Sequence, residues 1–425
     1  MNKIKNNYIR VFIFALITAT IIFIPFLIYD NGLFLYYGDF DVQQIPFYEL
    51  AHKAVREGNM GFSFITDLGS NFIGSYSFYL LGSPFFWLTI PFPTSVVPYL
   101  MAPLLILKFS LSAVTSYAFI SRFTKSKDTA IIGCLIYAFC GFNIYNIFFN
   151  HFNEVVVLFP LMLVALEELI NNDRYGVFAL TVCASALMNY YFFFGQVIFI
   201  IIYFIIRCFD KNFNVTIKKF FILALEAIIG LLMSSILLLP SIMTIISNTR
   251  LSDNLWGFDM ICYNNVQRYG LILESMFFPP DIPARPNFFP DSNSKWSSVS
   301  LFLPLFSMAG VFAFFKGVKK HWAKTLLSIC VLLALVPILN ASFSAFNYSY
   351  YARWFYMPLL IMAMVTCIAL ENHEEHFPFG IKLNLAIVGA FSLIGVLPKK
   401  EDGKLIFFSL PPHPERFWAY VIIDL

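Results

Sequence analysis

Two carboxylates stand close together just after the first long apolar run of the chain. Asp39 and Asp41 lie within LYYGDFDVQQIPFY, residues 35–48, where the chain is expected to leave the bilayer. A carboxylate beside apolar surface has a raised proton affinity and can serve as a general base. The two side chains share a face if this stretch is extended and diverge if it is helical. The ordinary alternative is a pair of solvated loop aspartates.

Further polar residues are candidates for binding a substrate on the same side of the membrane. Gln43 and Gln44 follow the two aspartates directly. His151 and Glu154 are spaced i,i+3, so they are expected to face one side of a helix and to orient a substrate or assist proton transfer. The alternative for His151 and Glu154 is a plain polar helix turn.

Asn189, Tyr190 and Tyr191 form a third candidate group, inside a long apolar stretch. Amides and phenolic hydroxyls form hydrogen bonds with sugar hydroxyls, and aromatic rings stack on the apolar face of a pyranose. The alternative is an aromatic belt at the membrane interface, which helical membrane proteins have in any case.

Arg353, in SYYARWFY, is the candidate for binding an anion. A guanidinium holds phosphate oxygens with two parallel hydrogen bonds. The alternative is an arginine that extends from a helix end to the interface. Arg268 and Arg285 are weaker candidates for the same role.

The composition predicts that lipid is the main solvent of this chain. Of its 425 residues, 59% are hydrophobic and 12% are charged, whereas soluble proteins carry about 25% charged residues. The net charge of +3 is too small to indicate a nucleic-acid partner. The seven cysteines form no CxxC pair, so they predict neither a zinc site nor a disulfide framework.

The apolar runs predict an all-α polytopic membrane protein with about eleven transmembrane helices. Lys3, Lys5 and Arg10 precede the first run and predict a cytoplasmic N-terminus, so that Asp39 and Asp41 emerge on the extracytoplasmic side. The outer loops are then 30–97 and 247–298. The predicted spans are 11–29, 98–121, 130–149, 155–170, two short helices within 176–206, 220–246, 299–316, 324–340, 353–370 and 381–397.

The first outer loop is expected to contain short interfacial or re-entrant helices. Residues 45–56 are amphipathic, and 76–93 is apolar but broken by glycine and proline. Glu167 and Glu168 are expected to be solvated at a cytoplasmic helix end, and Glu226 to be solvated or paired with a lysine. No phosphate-binding glycine loop, HExxH motif or nucleophile elbow occurs, so soluble nucleotide chemistry is unsupported.

An ordered set of motifs resembles the bacterial YfhO-type membrane proteins of the GT-C glycosyltransferase superfamily. The motifs are GDFDVQQIPFY (38–48), DLGSNFIGSYSFYLLGSPF (67–85), CGFNIYN (140–146), HFNEVVVLFPLMLVALEEL (151–169), NYYFFF (189–194) and YYARWFYMPL (350–359). The resemblance covers most of the chain in order.

The resemblance implies an enzyme that moves a sugar from a polyprenyl-phosphate carrier to an extracytoplasmic cell-envelope glycan such as a teichoic acid. The base would be Asp39 or Asp41, with Asp39 matching the family's Gly-Asp pair, and Arg353 would bind the carrier phosphate. The expected partners are the lipid-linked donor, the glycan acceptor and membrane lipid. A monophosphate leaving group demands no metal, and no cofactor is implied.

The resemblance also implies a domain organisation, and two other functions stay open. Family members are commonly longer, so 1–400 is predicted to be the GT-C-like membrane domain and 401–425 a short tail that begins a further C-terminal region. The alternatives to a transferase are a transporter or flippase of lipid-linked sugars and a non-catalytic envelope-assembly protein.

Overall fold

The structure, a computed structural model, describes residues 2–66, 69–246, 254–290, 294–401 and 403–424. The side chains of residues 2–5 and of residue 401 lie outside the description. The chain folds into two compact units, the first made of 1–119 and 146–252 and the second of 120–145 and 253–425. Both are mostly helical, with two short antiparallel hairpins.

The first unit contains long apolar helices and the short elements of the predicted first outer loop. Its α-helices are Asn2–Tyr29, Ile45–Glu57, Phe72–Tyr76, Pro84–Trp87, Val97–Ile120 (which ends at the unit boundary), Phe152–Asn172, Val177–Met188, Tyr190–Arg207, Ile217–Met233 and Ser235–Ile245. Two π-helical segments are Phe40–Gln44 and Ser77–Leu81, and a 3₁₀ turn is Thr94–Val96. The strands Phe62–Ser63 and Ser70–Asn71 pair antiparallel, with Phe62 opposite Asn71.

The second unit joins helices to the large loop and the C-terminal residues. Its α-helices are Lys127–Ala138, Gly141–Tyr145, Gln267–Phe277, Ala309–Gly317, Trp322–Leu335, Pro337–Ser342, Tyr356–Asn372, Phe377–Val396 and Pro414–Asp424, and its 3₁₀ turns are Gly257–Met260 and Glu374–His376. The strands Lys399–Glu401 and Lys404–Ile406 form a hairpin. Phe417 and Val421, in the predicted tail, pack in one apolar cluster with Phe277, Phe278 and Phe391.

Among the described residues, five helices are long and apolar enough to cross a membrane: Asn6–Tyr29, Thr94–Ile120, Lys127–Tyr145, Tyr190–Arg207 and Glu374–Val396. A sixth candidate is the pair Ile217–Met233 and Ser235–Ile245, which bends by 71°. Only 22% of the best window of the first helix is buried. Its apolar side chains are therefore left for lipid, as expected of a helix at the edge of a membrane bundle.

Several local predictions are confirmed, and one span is wrong as drawn. The amphipathic helix runs over Ile45–Glu57, and 76–93 is broken into short pieces. The stretch 176–206 divides at Asn189, whose extended backbone (φ −160°) separates two helices. The span predicted at 299–316 is helical only from Ala309, because the preceding residues bond elsewhere, as the amide of Leu301 does to the carbonyl of Ser275.

Glu167 and Glu168, near the end of the Phe152–Asn172 helix, are buried, which corrects the expectation that water solvates them. Glu226, which the sequence predicts to be solvated or paired with a lysine, is buried as well. Glu167 is 5% exposed; it lies 2.8 Å from Arg207 and accepts a hydrogen bond from the Tyr203 hydroxyl. Glu226 accepts from the amides of Gly176 (2.6 Å) and Ala179 (3.1 Å), where the Val177–Met188 helix begins. Backbone N–H groups at a helix start have no partner within the helix, so a carboxylate there is stabilised.

Candidate functional site

The stretch that carries Asp39 and Asp41 turns sharply at Gly38 and then becomes π-helical over Phe40–Gln44. Gly38 has φ +57°, and a Cβ there would lie 2.6 Å from the Phe148 ring. Only glycine combines this backbone conformation with so close a ring. Because Asp39 and Asp41 are on helical backbone, their side chains diverge. π-Helical turns are rare and frequent at functional sites.

The two aspartates have different roles in the local structure. The Asp41 carboxylate accepts a hydrogen bond from the backbone amide of Tyr36 at 3.0 Å, which closes the turn. Asp39 occupies the N-cap position of the π-helical segment, but its side chain forms no capping bond. It is half-buried, and burial raises the pKa of its carboxyl above the usual range. Asp39 is thus the better placed of the two to accept a proton.

A chain of side-chain hydrogen bonds starts from the two glutamines that follow. The Gln43 amide donates to the Tyr79 hydroxyl at 3.2 Å, and the Gln44 amide donates to Gln43 Oε1 at 3.4 Å. The oxygen of Gln44 lies 2.9 Å from His151 Nδ1. Because an amide oxygen only accepts, this contact is a hydrogen bond in the tautomer of His151 that carries its proton on Nδ1. Tyr79 belongs to the second π-helical segment, so the two segments and His151 form one polar network.

Glu154 and His151, which the i,i+3 spacing predicts to act together on a substrate, have different partners in the structure. The Glu154 carboxylate lies 2.8 Å from Lys108 Nζ, and the two side chains are 1% and 0% exposed. Lys108 also donates to the carbonyl oxygen of Asn150 at 3.1 Å. Burial, and then the Glu154 carboxylate, raise the pKa of the nearby Tyr48 hydroxyl. Glu154 is therefore a partner within the fold.

Lys108 was missed by the reasoning from sequence, although a signal for it exists. It lies in the middle of the Thr94–Ile120 candidate span. An ionisable residue inside an apolar span is rare and indicates a buried partner or a function. The sequence did not show which acid would pair with it.

The Asn189 side chain caps the helix that follows it. The two tyrosines beside it lie in an aromatic cluster. The Asn189 oxygen accepts from the amides of Tyr191 (3.2 Å) and Phe192 (3.3 Å), and its nitrogen donates to the carbonyl of Phe78 at 3.0 Å. The Phe78 ring lies 6.1 Å from the rings of Tyr190 and Tyr191 and 5.3 Å from that of His151. The tyrosine rings are thus near the polar network.

Arg353 belongs to the second unit, where its guanidinium lies over the Tyr351 ring, 3.9 Å from the centroid. Arg268 is buried in the same unit, with its guanidinium 5.1 Å from the Tyr263 ring and 4.6 Å from the Tyr350 ring. Arg268 also lines an open pocket together with Asn264, Asn340 and Tyr350. A larger apolar cavity of about 790 Å³ has Met276, Leu327 and Trp354 among its lining residues. Of the predicted residues, the weaker candidate Arg268 lines the first of these, and the other predicted site residues line neither.

The first unit therefore brings together some of the predicted site residues. Gln43, Gln44 and His151 share one hydrogen-bond network, and Tyr190 and Tyr191 reach it through the Phe78 ring. Among the described residues, one group could hold a metal ion: His373, Glu375 and His376, in the second unit.

Five or six membrane-length helices together with buried ion pairs define the class: a polytopic helical membrane protein. A comparison with protein families matches residues 11–406 to the family described as bacterial membrane protein YfhO. The chain belongs to that family, which confirms the resemblance of its motifs. No curated protein and no solved structure matches the chain.

Proposed function

We propose that this protein is a membrane glycosyltransferase. It takes a sugar from a polyprenyl-phosphate carrier and transfers it to an extracytoplasmic cell-envelope glycan, with Asp39 as the general base. The observation that carries this proposal is the environment of the Asp39 carboxylate. It is a half-buried carboxylate of raised pKa, without a capping bond, at the start of a π-helical segment whose glutamines bond to Tyr79 and His151.

The transfer reaction requires one group to accept a proton as the glycosidic bond forms. Asp39 takes the proton of an acceptor hydroxyl, and the hydroxyl oxygen attacks the anomeric carbon of the donor. The bond to the carrier phosphate breaks, and the phosphate leaves with the electron pair. A carboxylate whose proton affinity is raised by burial is a more effective base for this step than a solvated one. A single displacement inverts the anomeric centre.

The network that starts at Gln43, four residues after Asp39 in the chain, offers groups that suit a sugar. Gln43, Tyr79 and His151 offer donors and acceptors within one network, and Tyr190 and Tyr191 offer aromatic faces. Sugars are bound by this combination of polar groups and ring faces. Arg353 is proposed to bind the carrier phosphate.

The proposal includes the membrane topology predicted from the sequence. It places about eleven spans in a GT-C-like arrangement, with the N-terminus in the cytoplasm and Asp39 on the extracytoplasmic side. Cysteine accessibility to a membrane-impermeant reagent tests the sidedness. A cysteine at Val42 should be labelled in intact cells, and a cysteine at Lys319 should be labelled only after lysis.

The decisive experiment compares envelope glycans from cells that lack the gene and from cells that express variants. Asp39→Asn should abolish a sugar modification that the wild-type chain restores, a loss of about 10²–10⁴-fold in transfer. Asp30→Asn, a matched change at a neighbouring acid, should retain it. Full modification in an Asp39→Asn strain with normal protein levels would reject Asp39 as the base.

A second candidate function is the transport of lipid-linked sugars, and the position of Lys108 inside a candidate membrane span favours it. Charged residues within membrane spans often lie along substrate or proton pathways. Purified protein in proteoliposomes separates the two functions. Movement of a labelled carrier without new glycosidic bonds would support transport, whereas transfer to an added acceptor would support the enzyme.

A further inference from the structure

Three side chains that commonly bind metals meet in the second unit, where one helix ends and the next begins. The Tyr356–Asn372 helix is followed by His373, a 3₁₀ turn over Glu374–His376, and the Phe377–Val396 helix. His373, Glu375 and His376 each direct one donor atom to this point, and the three atoms lie within 4.8 Å of one another.

The distances are close to those of a coordination sphere. Glu375 Oε1 lies 3.5 Å from His376 Nε2 and 3.9 Å from His373 Nδ1. With metal–ligand bonds of about 2.0–2.1 Å in a tetrahedron, donor atoms are separated by about 3.3–3.4 Å. Small side-chain rotations are therefore enough to bring the three donors onto one ion.

The two imidazole rings are held in place by the protein itself. They are nearly parallel, 13° apart, with centroids separated by 6.2 Å. Both pack on Gly317, where a Cβ would lie 2.5 Å from His376 Cδ2 and 2.7 Å from His373 Cγ. The amide of His376 bonds to the carbonyl of His373 at 3.0 Å. The rings are thus positioned by packing and backbone before any ion arrives.

The position leaves room for a water ligand. The side chains of His373, Glu375 and His376 are 25%, 65% and 29% exposed, so a fourth coordination position faces solvent. The nearest lysine along the packed helix, Lys316, lies over the Phe379 ring at 4.0 Å. Glu374 and Glu375 contribute negative charge to the turn, which favours a divalent cation.

We propose that His373, Glu375 and His376 form a divalent transition-metal site of the zinc type, with two imidazoles, one carboxylate and water as ligands. Imidazole nitrogen and carboxylate oxygen are ligands that Zn²⁺ accepts, commonly with one position left for water. The ion links the end of one helix to the start of the next. The proposal is independent of the transferase reaction, because it uses none of the residues predicted for that reaction.

Cobalt titration of the purified, chelator-treated full chain in detergent tests the site. Co²⁺ should produce visible absorption bands of a low-coordinate complex that saturate at about one ion per chain, and Zn²⁺ should abolish them. Loss of one ligand in His376→Ala should weaken Co²⁺ binding by about 100-fold, since even outer-shell changes cost 10–100-fold.

His413→Ala is the matched control. His413 Nδ1 lies 3.8 Å from Glu415 Oε1 in the same unit, a similar pair that has no third ligand among the described residues. Its removal should leave the Co²⁺ bands unchanged. Glu375→Gln changes a largely exposed carboxylate and should therefore leave folding intact. Its Co²⁺ titration tests the site if His376→Ala does not fold. The absence of a saturable band, or equal bands in Glu375→Gln, His376→Ala and wild type, would overturn the proposal.

Discussion

Asp39 and Glu154 are both acids of the first unit, yet their surroundings are opposite. Asp39 is half-buried at the start of a π-helical segment and makes no capping bond. Glu154 is 1% exposed and forms an ion pair with Lys108. A buried charge with an opposite charge beside it is committed to the fold. This contrast is the reason why Asp39, and not Glu154, is the proposed base.

The largest expected effect comes from breaking the buried pair. Lys108→Met leaves the Glu154 carboxylate buried without its counter-charge, so the free energy of unfolding should fall by about 3–5 kcal/mol. Lys108→Met combined with Glu154→Leu should recover most of that loss, because no charge then remains buried. Unfolding in detergent micelles measures both.

Lys53→Met is the matched control for that experiment. Lys53 lies 4.0 Å from Glu57, and the two side chains are 62% and 51% exposed. Water screens such a pair, so its loss should change the free energy of unfolding by less than about 1 kcal/mol. Equal effects at Lys53 and Lys108 would remove the distinction between solvated and buried charges in this unit.

The polar network that starts at Gln43 and Gln44 should show an intermediate effect. Gln44→Leu removes the acceptor of the buried His151 Nδ1–H, so the free energy of unfolding should fall by about 1–3 kcal/mol. Gln43→Leu should cost less, because Gln43 is only half-buried. Denaturant unfolding of the two variants ranks them, and a larger loss at Gln43 would contradict this network.

Asp41 should stabilise the turn through its acceptor oxygen rather than through its negative charge. Asp41→Ala removes the acceptor for the Tyr36 amide and should lower the free energy of unfolding by about 1 kcal/mol. Asp41→Asn keeps an acceptor oxygen and should be nearly neutral. If Asp41→Asn were as destabilising as Asp41→Ala, the charge of Asp41 would matter and its assignment to the turn would be wrong.

The smallest effect is a pH-dependent gain in stability on replacing Asp39. Its raised pKa means that the folded state holds the proton more tightly than the unfolded state does. The wild type therefore loses stability as the pH rises from about 4, the unfolded pKa, through the folded pKa. Asp39→Asn should be slightly more stable than wild type at neutral pH, and the difference should vanish in acid. A pH-independent difference would contradict the shift.

Local features of the fold were predictable from short stretches of sequence. The Ile45–Glu57 helix follows from its amphipathic pattern, and the helix break at Asn189 follows from a polar residue between apolar runs. Both depend on residues a few positions apart. The predicted helix at 299–316 failed at its start because Leu301 bonds to Ser275, a distant residue that no local pattern indicates. The GT-C arrangement and the count of eleven spans stay predictions.

The sequence by itself determined that this is a helical membrane protein of the YfhO family, because hydropathy and ordered motifs are properties of the chain alone. Only the tertiary structure decided that Glu154 forms a buried ion pair while Asp39 stays half-buried without a capping bond. Lys108 and Glu154 come from different helices, and Gln44 meets His151 across more than a hundred positions. Such contacts create the difference in burial between these two carboxylates.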